Sequence, residues 1–583
     1  MYLERINTPQ DLKQFTLQEL NCLAEEMRQD LITKISTKGG HLGSNLGIVE
    51  LTIVLHYLFD FRTDKVVYDV SHQTYCHKML TGRAKAFFDP AHYGDVTGFS
   101  NPAESDYDLF HMGHTSTSVS LACGLAKARD LRREKENVIA VIGDASLDGG
   151  EAFEGLNYAS ELQSGIIVVV NDNDMSIPEN YGGLSKHLAV LRNNNGRIKD
   201  NFFTALGFTY HYVADGNDLS SLLEVFSKVK DVNVPTVVHI NTQKGKGYKY
   251  AEIDKEKWHW ASPFDVQTGE FLRCVPAENY GAIVGDYLLD KMKTEPELVV
   301  VAASTPICIG FNKQRRMAAG RQYVDVGIAE QNAVSLSAGI AKNGGKPVFA
   351  TNSTFIQRAY DQIEQEVCLN KLPVVMIVTH GSVFGHGNVT HAGLFDIPLL
   401  AHIPYLTYLA PTTKEEYLAM LDWSLEKRSQ PVAIRVPWTG VRHSSKDVLK
   451  DYSVAKYDIA RKGKNVAIIA LGGFFNLGED VCDKLYTEHG IKATLINPIF
   501  ITSLDELTLD SLLVNHHLVV TLEDGIIDGG FGSRIAQHYG GTSMRVINLG
   551  FSEDVPIAFN PKELIEKEGL TANDICNRIM ALI

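Results

Sequence analysis

The sequence predicts an α/β protein of three doubly wound domains with largely parallel sheets. Three observations predict it. Apolar, β-rich runs alternate with helical patterns along the chain, and uninterrupted runs of this kind belong to strands buried on both faces, as in parallel sheets covered by helices. The 583 residues, at about 150 per domain, leave room for three large domains. A content of 44% hydrophobic and 21% charged residues is that of an ordinary globular chain and argues against wholesale disorder.

The first domain spans residues 1–265. Its strands read Asn137-Val138-Ile139-Ala140-Val141-Ile142 and Gly165-Ile166-Ile167-Val168-Val169-Val170, with a helical pattern between them from Glu151 to Leu162. The segment Trp258-His259-Trp260-Ala261-Ser262-Pro263 closes it. The second domain, 278–440, carries the strands Leu298-Val299-Val300-Val301, Pro347-Val348-Phe349-Ala350 and Pro373-Val374-Val375-Met376-Ile377-Val378. The third, 450–583, carries Val466-Ala467-Ile468-Ile469-Ala470-Leu471 and Leu518-Val519-Val520-Thr521. Open sheets of this type bind ligands beyond the carboxyl ends of their strands.

Charge narrows the function classes. There are 55 Lys and Arg against 70 Asp and Glu, a net charge of -15, with no dense basic run. A general nucleic-acid binder needs a basic face, so no nucleic-acid partner is expected. An anionic ligand must be met locally, by a metal, a helix N-terminus or a few placed cations. No apolar run reaches the roughly 18 residues of a membrane span, and Met1-Tyr2-Leu3-Glu4-Arg5 is not a secretory signal. The eight cysteines (Cys22, Cys76, Cys123, Cys274, Cys308, Cys368, Cys482, Cys576) are scattered, with no CxxC pair, as expected for buried thiols in a reducing compartment. A cytoplasmic enzyme is the expected class.

The most informative stretch is Gly143-Asp144-Ala145 followed by Asn171-Asp172-Asn173, with Asn173 standing 29 positions after Asp144. Each half follows an apolar strand, and the helical pattern between them makes a βαβ unit, whose crossover is nearly always right-handed. Neighbouring strands lie about 4.8 Å apart, so both side chains leave one edge of the sheet within reach of one hard cation. Mg²⁺ takes few protein oxygens and completes its shell with phosphate or water. The main-chain carbonyl of Met175 is a third candidate ligand, and Gly143 is expected to let the backbone turn under a diphosphate. Either half alone is more simply a strand-end turn or a polar loop; the spacing and the strand context together carry the metal reading.

Gly-Asp-x with Asn-Asp-Asn at this distance resembles the thiamine diphosphate motif of transketolase-like enzymes. Further segments resemble the 1-deoxy-D-xylulose-5-phosphate synthase family: Gly40-His41-Leu42-Gly43-Ser44, Val49-Glu50-Leu51-Thr52, Asp69-Val70-Ser71-His72-Gln73-Thr74-Tyr75, His77-Lys78 through Thr81-Gly82-Arg83, Asp325-Val326-Gly327-Ile328-Ala329-Glu330-Gln331, and Ser353-Thr354-Phe355-Ile356-Gln357-Arg358-Ala359-Tyr360-Asp361-Gln362. The resemblance runs along essentially the whole chain and implies a transketolase-like fold with thiamine diphosphate and Mg²⁺ as cofactors. It implies condensation of pyruvate with D-glyceraldehyde 3-phosphate, with loss of carbon dioxide, to 1-deoxy-D-xylulose 5-phosphate. That product supplies isoprenoid precursors, thiamine and pyridoxal. It also implies a homodimer.

The same resemblance assigns residue roles. Glu330, which as an isolated residue would be an acidic group suited to a helix N-terminus, becomes the carboxylate facing the aminopyrimidine ring. Phe355, otherwise a core aromatic, stacks on that ring. His72, Gly113-His114-Thr115, Ala145, Ser146, Asn173 and Tyr248 line the diphosphate and thiazolium side, and the cofactor bridges the first two domains. His41, His259 and His391 are the proton carriers; imidazole suits that work because it titrates near 6.5, although among 20 histidines most are structural. Arg358 and Arg435 contact the acceptor phosphate, where a planar guanidinium binds bidentately; outside the resemblance each reads as a surface ion pair.

Departures from the family pattern cluster on the acceptor side. The family carries Tyr before Ser-Thr-Phe, where this chain has Asn352. It carries Asp-Arg-Ala-Gly where this chain has Thr379-His380-Gly381-Ser382, closer to transketolases. It carries Asp-Gly where Gly387-Asn388 stand, and a longer segment around Asn193-Asn194-Asn195-Gly196. Losing a carboxylate and a cation alters what an acceptor pocket recognises. Two alternatives therefore stand beside the synthase reading: ketol transfer between sugar phosphates, and a non-catalytic thiamine diphosphate-binding paralogue.

Overall fold

The structure, a computed structural model, describes all residues except 163, 273–277, 385–386, 428 and 439. Cys274 lies outside the described residues; the other cysteines are free thiols, mostly buried. The chain divides into two compact units: Met1–Val275 with Gly327–Ala329, and Pro276–Val326 with Glu330–Ile583.

The first unit is built on a parallel sheet of β1 (Lys65–Tyr68), β2 (Val138–Gly143), β3 (Ile167–Asp172), β4 (Thr209–Val213) and β5 (Thr236–Asn241), in the order β1-β2-β3-β5-β4. The central strands β2 and β3 are composed of Val, Ile and Ala and are buried almost throughout, which is why they read as unbroken apolar runs. Separate apolar clusters cover the sheet. One includes Ile139, Val141 and Val169 with the long helix Leu17–Lys38; the other includes Ala140, Ile142 and Val168 with the helix Ser118–Arg132. The helix expected from Glu151 to Leu162 is present as Gly150–Glu161.

The second unit holds two sheets. One is six-stranded and parallel: β6 (Leu298–Ala302), β7 (Tyr323–Asp325), β8 (Lys346–Asn352), β9 (Val375–Gly381), β10 (Thr407–Leu409) and β11 (Val432–Pro437), in the order β10-β11-β9-β8-β6-β7. Register pairs Asn352 with Thr379 and Pro437 with Gly381, so β8, β9 and β11 end side by side. The other sheet contains β12 (Asp458–Arg461), β13 (Asn465–Ala470), β14 (Thr494–Asn497), β15 (His516–Ile526) and β16 (Arg545–Phe551), in the order β12-β14-β13-β15-β16. Only β12 runs antiparallel, and it is a short, half-exposed edge strand of Asp, Ile, Ala and Arg. All three sheets are thus doubly wound and largely parallel. Among the described residues no helix is long and apolar enough to cross a membrane.

The segment Asn193–Gly196 is the end of the helix Gly182–Asn193. Asn195 and Gly196 take left-handed backbone (φ 49° and 67°), and the Gly196 amide donates to the Leu191 carbonyl at 2.9 Å.

Candidate active site

In the first unit the tips of β2 and β3 lie side by side, with Gly143 in register with Asn171. Asp144 follows β2, is 4% exposed, and accepts from Asn180 Nδ2 at 2.7 Å. Burial, and then the charge of Asp172, pushes its carboxyl well above the ordinary range. Asp172 is equally buried but differently served. Arg192 Nη1 donates to both its oxygens at 2.6 and 2.7 Å, and His239 Nε2 lies 2.8 Å from Oδ2. Burial would raise this carboxyl, but His239 and Arg192 hold it below its usual range. Asp172 is therefore a neutralised scaffold group, whereas Asp144 has no such cation bonded to it.

Asn173 completes the pair. Its Oδ1 is buried and has no hydrogen-bond partner among the described residues, a costly state for an amide oxygen unless a ligand meets it. Asp174 takes left-handed φ (62°) and ion-pairs with Arg192 at 2.7 Å, and Met175 bridges back to Glu179. A buried carboxylate with no cation bonded to it and a buried amide oxygen with no donor, both among the described residues, are the oxygen types a hard divalent cation takes. Asp144 and Asn173 have the chemistry to hold such a cation.

Gly143 corrects one expectation. It has no left-handed φ, and a Cβ there would make only ordinary contact, 3.9 Å from Ser146 Oγ. The close approach is at Gly149 instead, where a Cβ would stand 2.2 Å from Ser116 Oγ. Gly149 follows the short turn holding Ala145 and Ser146, and Ser116 follows Gly113-His114-Thr115; the Ser116 hydroxyl donates to the Ser146 carbonyl at 2.8 Å. Asp69, just beyond β1, receives the Ser116 and Ser118 amides at 2.8 and 3.0 Å. One buried carboxylate thus ties the expected diphosphate loops to the sheet, a role the sequence reading did not assign.

His41, His72 and His259 meet as three rings with centroids 5.0, 5.6 and 5.3 Å apart. His72 Nε2 lies 3.1 Å from Ser44 Oγ. Burial, then Lys244, His72 and His41, holds His259 well below the ordinary imidazole range. Lys244 itself is 2% exposed and donates to the Ser176 carbonyl, and burial pushes its amine down to about 7 against the pull of Asp144. The sequence reading passed over Lys244. The signal available was its place just after β5, before Gly245 and Gly247, both at positive φ. Tyr248 departs from expectation: its ring packs on Trp258 and Phe264, and its hydroxyl donates to the Val266 carbonyl at 3.2 Å, so its side chain serves the core. His77, Lys78 and Arg83 of the family-like segments are scaffold as well, bound to Asp108 and Glu104.

In the second unit Glu330 opens the helix Glu330–Lys342 and is 2% exposed. Burial raises its carboxyl, and the Arg358 charge, with Nη1 3.5 Å from Oε2, partly opposes that rise. Phe355 lies edge-on to His391 with centroids 5.6 Å apart. Thr390 Oγ1 lies 2.8 Å from His391 Nδ1, and Asn388 Oδ1 accepts from the Thr390 amide and hydroxyl at 2.9 and 2.6 Å. Asn388 therefore serves as the cap that positions the His391 turn.

Arg435 requires a correction. Expected at a phosphate, it is 2% exposed and saturated: Nε donates to Asp396 Oδ2 at 2.8 Å, Nη1 to Asp524 Oδ1, and Nη2 to the Gly393 and Asp524 carbonyls at 2.9 and 3.2 Å. Two buried carboxylates hold the guanidinium, and removing it would leave both without their cation. At the strand ends nearby, Thr379 Oγ1 donates to Asn352 Oδ1 at 2.9 Å and His380 Nδ1 lies 3.0 Å from Thr379 Oγ1. The His380 ring stacks on Trp438 at 3.7 Å. Trp438 was not singled out from the sequence, since nothing local marks which ring it meets.

Comparisons with known proteins agree along the chain. Residues 3–199 and 193–242 match the family model described as 1-deoxy-D-xylulose-5-phosphate synthase, residues 279–442 the pyrimidine binding domain of transketolase, and residues 455–575 the transketolase C-terminal domain. The 1-deoxy-D-xylulose-5-phosphate synthase of Carboxydothermus hydrogenoformans is 39% identical, covering 98% of this chain and 97% of that protein. That of Clostridium acetobutylicum is 37% identical, covering 99% of both. A transketolase structure from Campylobacter jejuni aligns at 16% identity and a TM-score of 0.45, covering 97% of this chain and 100% of that one. The chain belongs to the 1-deoxy-D-xylulose-5-phosphate synthase family, whose members are transferases of transketolase-like fold.

Proposed function

We propose that this chain is a thiamine diphosphate- and Mg²⁺-dependent transferase that decarboxylates pyruvate and joins the remaining two-carbon unit to an aldehyde. The relatives are named for 1-deoxy-D-xylulose 5-phosphate, whose formation uses D-glyceraldehyde 3-phosphate as that aldehyde. The observation that carries the reading is the pair at the β2 and β3 tips, a buried carboxylate without a bonded cation and a buried amide oxygen without a donor among the described residues. Thiamine diphosphate, when bound, supplies the carbanion equivalent that takes up and releases the two-carbon unit.

The chain's own groups do the rest. Asp144, Asn173 and the Met175 carbonyl hold the metal, and Ala145, Ser146, Gly113, His114, Thr115 and His72 surround the diphosphate. Glu330 is buried at a helix start with its carboxyl raised, so it can hold a proton toward a ring nitrogen while Arg358 steadies its ionised form. Phe355 supplies the aromatic face for the pyrimidine. His259 is kept neutral and with His41 can accept a proton from the substrate side, and His391, fixed through Thr390, does so in the second unit. Homodimer assembly and a cytoplasmic setting belong to the same proposal and rest on the resemblance.

The test is carbon dioxide release from pyruvate in the presence of an aldehyde. It should require thiamine diphosphate and Mg²⁺, and Glu330→Ala should lower kcat by about a thousandfold or more, the scale lost with a transition-state contact, while Mg²⁺ affinity changes little. Near-wild-type turnover in that variant would refute the role of Glu330, and ketol transfer without use of pyruvate would refute the donor.

A further inference from the structure

Of the two guanidiniums that the family pattern would give to a phosphate, Arg435 is committed elsewhere in this chain. Arg435 is enclosed and, among the described residues, donates to Asp396, Asp524 and Gly393; withdrawing it would strand two buried carboxylates. Arg358 lies against the buried Glu330. The surface formed where β8, β9 and β11 end is of another character. Asn352 offers an amide and Thr379 a hydroxyl, already joined at 2.9 Å. His380 and Trp438 form one stacked aromatic plane, with Trp438 42% exposed.

This plane is built. His380 sits at a left-handed φ of 59°, which costs a non-glycine residue backbone strain. Gly393 passes so close to the His380 carbonyl that a Cβ there would come to 2.0 Å, and a Cβ at Gly381 would meet the Arg435 side chain at 2.9 Å. The strand end is therefore held in its strained form from beneath, with the imidazole on the indole. A dianionic phosphate needs charge-assisted donors when it leaves water. An amide, a hydroxyl and an aromatic plane instead favour a neutral group with an apolar or planar tail.

Resting on the pyruvate-plus-aldehyde reading above, we propose that the His380–Trp438 plane, beside Asn352 and Thr379, selects an unphosphorylated aldehyde acceptor and discriminates against a phosphorylated one. The reaction balances without an outside oxidant or reductant. The bond between pyruvate C1 and C2 breaks and carbon dioxide leaves. The electron pair of that bond goes into the new bond from C2 to the aldehyde carbon, and the aldehyde oxygen takes one proton to become the hydroxyl of an α-hydroxyketone.

The experiment uses the full chain with thiamine diphosphate, Mg²⁺ and pyruvate, and three acceptors: D-glyceraldehyde, D-glyceraldehyde 3-phosphate and phenylacetaldehyde. The expected kcat/KM is at least about tenfold higher for D-glyceraldehyde than for its 3-phosphate, a difference of ~1.4 kcal/mol. Trp438→Ala should lower kcat/KM for phenylacetaldehyde about tenfold or more, and His380→Arg should shift preference toward the phosphate by a similar factor. A higher kcat/KM for the 3-phosphate in the wild-type chain would overturn the proposal. If pyruvate releases no carbon dioxide with any of the three, the donor reading fails, and the plane is tested alone by calorimetry. Glycerol 3-phosphate binding with a Kd below about 1 mM would then overturn the proposal, and the absence of phosphate-dependent heat would support it.

Discussion

Asp144 in the first unit and Arg435 in the second are both nearly inaccessible charged groups at strand ends, yet their surroundings are opposite. Arg435 has a carboxylate or a carbonyl for each of its nitrogens. Asp144 has two amide donors, the Asn180 side chain and the Ala145 backbone, a like charge next to it in Asp172, and beyond it an amide oxygen that accepts from none of the described residues. A buried charge whose partners are all protein is part of the scaffold. A buried charge left short of partners, where the backbone could have supplied them, is held ready for something that arrives later. By this criterion the first unit presents an open donor set, while the second has enclosed the guanidinium expected at a phosphate.

The strongest way to break this contrast is to remove Arg435. Arg435→Ala leaves Asp396 and Asp524 buried without their cation, and should lower stability by about 3–5 kcal/mol. The check is the denaturant or thermal midpoint of the apo-protein. An unchanged midpoint, with only a raised KM for a phosphorylated acceptor, would mean that the guanidinium serves substrate after all.

Asp144→Ala should have the reverse profile. Mg²⁺-dependent thiamine diphosphate affinity should fall by about a hundredfold, ~2.8 kcal/mol, as read by fluorescence titration. The metal-free protein should be as stable as wild type or more so, because a carboxyl disfavoured by burial and by the charge of Asp172 has been removed. Loss of stability in the metal-free variant would show that Asp144 is scaffold and would erase the distinction from Arg435.

The contrast also separates what was legible in the sequence from what was not. The βαβ unit was legible because its strands carry unbroken runs of Val, Ile and Ala, and because Asp144 and Asn173 stand just past the ends of β2 and β3, so adjacency of the two strands suffices to bring them to one edge of the sheet. Arg435 was misread because its partners are 39 and 89 positions away, Asp396 at the start of a helix and Asp524 in another sheet. No local pattern tells a guanidinium that awaits a phosphate from one already enclosed. The His380–Trp438 stack fails for the same reason. It depends on β11 pairing with β9 and on a left-handed φ at His380, neither of which is written in the residues around either ring. Lys244 and Asp69 were missed because Lys and Asp after a strand look like solvated turn residues until burial is known.

A buried carboxyl hydrogen-bonded by two backbone amides gives the intermediate case. Glu523, on β15, is fully enclosed and accepts from the Phe531 and Gly532 amides at 2.8 Å each, yet burial pushes its carboxyl up to about 7. Two amides lower the cost of the charge without cancelling it. In the unfolded chain the group titrates near ~4.3. Because the folded value is the higher one, between about pH 4.3 and 7 the folded protein binds more protons than the unfolded one. Stability from this group is then fully present below the unfolded value and is lost as pH rises through about 7. Glu523→Gln cannot ionise. Below pH 5 it should be slightly less stable than wild type, because its single amide oxygen replaces two acceptors. Its advantage over wild type should then grow by about 2 kcal/mol up to pH 8. Thermal midpoints of both proteins across that range provide the check. Parallel curves would mean that the two amides satisfy Glu523 as fully as Asp396 and Asp524 satisfy Arg435, and that it belongs with the scaffold.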